Sequence, residues 1–121
     1  MTSSSSADRF NGSLSGMAIK APCVAVTNAA ITLLGAQTVN SVAVVAGDRV
    51  LVKDQADTTT NGIYVVRATA WARAADFDGA RDVSDGTLVI VKTAAGASVL
   101  YYASGTSPIV IGTTELTFTA L

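Results

Sequence analysis

Histidine is absent from this chain of 121 residues, and cysteine occurs once, as Cys23. The first absence removes the commonest general base near neutral pH and the commonest metal ligand. It also leaves Cys23 without the base a catalytic thiol needs. A lone cysteine excludes an intramolecular disulfide, and its place in an apolar run reads as a small buried hydrophobe. Charged residues make up only 14% of the chain, with a net charge of -1. No polyanion-binding surface is expected, so nucleic acid is not an expected partner. No apolar run approaches the roughly 20 residues a membrane helix needs, so no membrane insertion is expected. Met1 to Ser6 hold neither the basic region nor the apolar stretch of a signal peptide, and a protein made and used without export is expected.

Half the residues are hydrophobic, but only 6% are aromatic. The apolar mass is Val, Ala, Leu and Ile interleaved with Thr. Such side chains suit a pleated, half-buried surface. The expectation is one all-β domain, a sandwich or barrel of short antiparallel strands spanning residues 17–121. Ahead of it, residues 1–16 are rich in Ser and Gly and read as a flexible N-terminal arm. Phe10, Leu14 and Met17 are its apolar anchors for a partner contact. The alternative is a disordered terminus.

Short strands are predicted over 22–27, 31–34, 38–39, 42–45, 49–53, 63–68, 88–91, 99–102, 109–111 and 116–120. Asn40-Ser41 is read as a two-residue hairpin turn, because Asn tolerates a left-handed backbone. Leu88 to Val91 is apolar on both faces and reads as a central strand. Leu116, Phe118 and Ala120 alternate with Glu115, Thr117 and Thr119, the mark of a half-buried strand. Residues 72–85 break the rhythm and read as a short helical turn capped by Asp76 or Asp78.

Several blocks, in order, resemble a module found at or near the N-termini of many tailed-phage proteins. They begin with Ser15-Gly16-Met17-Ala18-Ile19-Lys20-Ala21-Pro22-Cys23. The Val42–Gln55 block follows, with Gly47-Asp48-Arg49-Val50-Leu51-Val52-Lys53-Asp54-Gln55, then Asn61-Gly62-Ile63-Tyr64. After these come Trp71 to Gly79, Arg81-Asp82-Val83, Gly86 to Val89, Pro108 to Thr113 and Leu116-Thr117-Phe118. The family pattern more often has Asp-Gly where Asn40-Ser41 stands. The resemblance implies a virion structural protein, a tail-fibre or tail-associated component assembled in the bacterial host cytoplasm. It implies no catalytic machinery and no cofactor. Its default is a homo-oligomer, with a trimer favoured, docked to other virion proteins. A capsid decoration or head-fibre protein is the first alternative, favoured by the small size. A carbohydrate-binding module for host recognition is the second.

Three sets of residues are weighed as sites. Asp76, Asp78 and Asp82 could offer oxygen ligands to a hard cation. An EF-hand loop needs further ligands where Ala80 and Thr87 stand, and turn roles account for the aspartates without a metal. Trp71 and Tyr102 could stack on a sugar, although aromatics in so poor a set are more often core. On alternation, one of Tyr101 and Tyr102 faces inward and the other outward. Asp48-Arg49 and Lys53-Asp54 read as charged pairs at strand ends, solvated or paired with a neighbouring subunit.

Overall fold

The computed structural model describes residues 19–79, 82–93, 96, 98–106 and 108–121. The arm at residues 1–16 and its anchors Phe10, Leu14 and Met17 lie outside the described residues.

The fold is all-β. β1 (Ile19–Cys23) and β2 (Ala25–Val26) are followed by β3 (Gln37–Val39), β4 (Val42–Val44) and β5 (Arg49–Val52). A 3-10 turn at Thr58–Thr60 leads to β6 (Gly62–Val65) and β7 (Ala72–Arg73). A second 3-10 turn, Ala75–Phe77, precedes β8 (Leu88–Lys92), β9 (Ser98–Ser104) and β10 (Thr117–Ala120).

The strands build layers. One sheet has the order β1-β8-β9-β10, a second β2-β5-β6-β7, and β3-β4 is a separate hairpin. Leu51 and Ile63 of the second sheet meet Val89, Val91, Ala103 and Phe118 of the first in one core, closed by Phe77, Ile109 and Leu116. Val50, Val52, Tyr64 and Val66 point the other way and pack with Val39 and Val44 of the hairpin and with Trp71. The second sheet is therefore the middle layer, buried on both faces. That explains why Val50, Leu51 and Val52 form an unbroken apolar run, as a doubly covered strand requires. Each large side chain so buried contributes about 1.5–3 kcal/mol of transfer free energy.

Two pairings are parallel, β1 with β8 and β2 with β5. The rest are antiparallel, so the sheets are mixed where purely antiparallel ones were expected. The cause is the segment 19–26. It gives β1 to the first sheet and β2 to the middle one, lying beside strands distant in sequence. The single strand expected over 22–27 is thus two strands serving two sheets.

Two predicted strands are corrected. Residues 31–34 make only an isolated bridge, Leu34 to Ala70. The side chain of Gln55 takes the place of a neighbouring strand there. Its Oε1 accepts from the Ile31 amide at 2.8 Å, and its Nε2 donates to the Ile31 carbonyl at 3.0 Å. Residues 109–111 enter a turn in which the Val110 carbonyl accepts from the amides of Thr113 and Thr114 at 3.0 and 2.9 Å. The helical turn expected within 72–85 exists at Ala75–Phe77, but Ala74 is its N-cap and makes no side-chain cap bond.

Candidate functional site

Two regions stand out against this frame. The first is a polar cluster at the rim of the core between the two large sheets. β1 turns Lys20 and Cys23 inward, since they pair with Val89 and Val91, whose side chains face the core. β5 brings Arg49, and the 3-10 turn after β7 brings Asp76. The Arg49 guanidinium holds Asp76 in a fork, Nη1 to Oδ1 at 2.9 Å and Nη2 to Oδ2 at 3.1 Å. Nη2 also donates to the Ala21 carbonyl at 3.1 Å, tying the two sheets together. Burial pushes the Asp76 carboxyl up, but the hydrogen bonds and charge of Arg49, with the charge of Lys20, outweigh it and hold it below the ordinary carboxylate value. Arg49 was expected to be solvated or to pair outside the chain. It pairs within the chain, with a carboxylate 27 positions away.

Lys20 is the unusual member. It is 3% exposed, and among the described residues its Nζ has no hydrogen-bond partner. The ammonium lies 5.9 Å from the centroid of the Phe77 ring. Burial lowers its pKa from the usual lysine value, Asp76 and Asp82 oppose that shift, and Arg49 adds to it. Among the described residues the Arg49 Nε is also buried without a hydrogen-bond partner, whereas the Thr27 hydroxyl bonds Asp54 and the Lys53 amide, and the Asn61 side chain bonds three backbone groups. Cys23 lies beside Arg49, yet burial pushes its thiol up to about 12, so it is a poor nucleophile at neutral pH.

The three aspartates weighed as cation ligands do not act together. Asp76 serves Arg49, and Asp82 Oδ2 accepts from the amides of Asp78 and Gly79 at 3.0 and 2.9 Å. Asp78 is exposed. Among the described residues no group of three or more His, Cys, Asp or Glu converges as metal ligands do.

The second region is the outer face of the first sheet. Ile19 pairs with Leu88, Leu88 with Tyr102, and Tyr102 with Thr119, so these four share one row and one face. Ile90 and Leu100 form the next row. Ile19 is 64% exposed and Ile90 36%. An antiparallel sheet with one wet face normally turns polar side chains outward. Here β8 turns out Leu88 and Ile90. Among the described residues no layer covers this face, whereas the middle sheet is covered on both. Tyr101 packs against the core, and Tyr102 sits half-buried on the outer face. Trp71 does not share that face. It is 7% exposed in the smaller core, and its indole N–H donates to the Gly35 carbonyl at 2.8 Å, so its ring offers no stacking surface for a sugar.

The sequence shows β8 as apolar on both faces but not that, among the described residues, one of those faces stays open. Sequence reasoning missed Lys20 altogether. No local signal could have found it: strict alternation would set Lys20 on the face opposite Cys23, and only the irregular register between the two turns both inward. Comparison with family models, with curated proteins and with solved structures found no match to this chain.

Proposed function

We propose that this chain is a structural protein of a tailed-phage virion, a tail-fibre or tail-associated component that acts by assembly rather than catalysis. The observation that carries the reading is the ordered series of sequence blocks, from Ser15 to Phe118, that resembles the tail module. The open apolar face of the first sheet supports it, because contiguous exposed apolar surface marks interaction sites. The scarcity of charge supports it too, since interface cores are depleted in charged residues. The buried thiol of Cys23 and the lack of histidine favour assembly over chemistry. Partners in this reading are copies of the chain and neighbouring virion proteins.

Labelled antibody against the chain, or a density map of intact particles, tests the proposal. Label on the tail or its fibres is the expected result. A regular array on the head would move the chain to capsid decoration. Absence from particles would overturn the structural reading.

A further inference from the structure

We propose that the outer face of the first sheet is a contact between two copies of this chain, packed face to face with their strands antiparallel. The inference gives the assembly reading a definite partner and rests on that reading for its purpose.

Charge selects the partner. The four strands of this sheet carry two charged residues, Lys20 and Lys92. Lys20 points into the core, so Lys92 is the sole charge those strands can show outward. It lies at one end of the face, paired with Ser98, while the Leu88–Tyr102 pair lies at the other. A charged partner surface would lose hydration here and find no opposite charges in return. The occupant must be apolar, uncharged at its centre and free of a cation opposite Lys92.

A second copy of the same face meets those terms in one orientation. A two-fold axis running across the strands, through the Ile90–Leu100 row, reverses strand direction between the copies. Lys92 of each then lies over the Leu88–Tyr102 pair of the other. An ammonium over a tyrosine ring is an attractive contact. The two Lys92 side chains stand four residues apart along the strands, about 13 Å. That exceeds the screening length of about 8 Å at physiological salt. A two-fold axis along the strands would instead bring both lysines to the same end. The contact is isologous, so each apolar residue is used twice, as in closed dimers. It joins two copies, and in that it departs from the trimer that the phage resemblance favours.

Light scattering on the full chain during size-exclusion chromatography tests this. The expected mass is twice the 12.2 kDa of one chain. Ile90→Lys and Ile19→Lys should each weaken association at least tenfold. Ile19 is already 64% exposed, so its replacement leaves the fold intact, which circular dichroism checks. Thr38→Lys on the hairpin should leave the mass unchanged. A monomer at every concentration, a three-copy mass, or a dimer indifferent to both face variants would overturn the proposal. So would a monomer that pairs only once residues 1–18 are removed, because the face would then belong to the chain's own N-terminal segment. Virion localisation is a separate readout. A dimer absent from particles keeps the contact and removes the assembly reading, and a virion protein that stays monomeric does the reverse.

Discussion

The ammonium of Lys20 lies 5.9 Å from the centre of the Phe77 ring, with no hydrogen-bond acceptor among the described residues. A charged amine held there costs the fold desolvation that the ring and the nearby carboxylates only partly offset. Replacing it with an apolar chain of similar length removes that cost. Lys20→Met should therefore raise stability at pH 7 by about 1–3 kcal/mol, measured by urea denaturation. The sign with pH follows from a folded pKa below the unfolded 10.5. The penalty is complete below the folded pKa and is relieved as pH rises toward 10.5, so the gap between variant and wild type should narrow in alkali. The gap is the proper readout, because Cys23 acts in the opposite sense above pH 9.0 in both proteins.

Arg49 and Asp76 should make their contribution in the acid range. Asp76 has a folded pKa below its unfolded 3.8, so its stabilisation is present above 3.8 and lost as pH falls through the folded value. Asp76→Asn should cost about 1 kcal/mol at pH 7, a modest figure because the pair is partly solvated. The cost should vanish at the acid end of a pH series of thermal melts.

Asn61 should be far less tolerant. Its side-chain amide donates to the Leu116 carbonyl at 2.9 Å and the Lys53 carbonyl at 3.2 Å, and its oxygen accepts from the Gln55 amide at 3.1 Å. The residue is 1% exposed, so Asn61→Ala leaves buried backbone groups unpaired. A loss of about 2–4 kcal/mol is expected in denaturant titration. A loss under 1 kcal/mol would contradict this account.

Ser41 offers the opposite result. It occupies a left-handed conformation, φ 69°, as the second residue of the hairpin turn, beside Asn40 at φ 47°. Glycine adopts that conformation without steric cost. Ser41→Gly should stabilise by about 1 kcal/mol, seen as a rise in Tm.

Cys23 should be silent in the native protein. Its thiol is 1% exposed and pushed up to about 12. An aromatic disulfide reagent at pH 8 should titrate no thiol in the folded chain and one in urea. Rapid native labelling would show that the rim of the core opens.

The contrast between Asn40-Ser41 and Ile31–Leu34 shows what was legible in the sequence. The turn is local: two residues set their own backbone angles, and Val39 pairs with Val42 across them. Strands β5, β6, β8, β9 and β10 were legible for a related reason, as each is a short run of apolar and β-branched residues set off by its own neighbours, with clean alternation only in β10. Residues 31–34 have the same apolar character, yet Ile31 meets a glutamine side chain 24 positions away, and Leu33 and Leu34 meet Trp71 and Ala70, which no local pattern encodes. The polar cluster was hidden in the same way. Asp48-Arg49 looked like a charged pair left to solvent or to a neighbouring subunit, but Asp48 accepts from the Val45 amide while Arg49 reaches Asp76. The open face was half visible. The pattern of Leu88 to Val91 said that both faces were apolar, but only the stacking of layers shows which one the described residues leave bare.

The strand directions have a mechanical consequence. β1 runs parallel to β8, and β10, antiparallel to β9, runs the same way as both. The chain therefore enters this sheet at Ile19 from one end and leaves it at Leu121 from the other. Tension applied between those points pulls along the strands, so their ladders are loaded in shear and must yield together rather than unzip bond by bond. A domain wired this way resists extension along the direction of its strands.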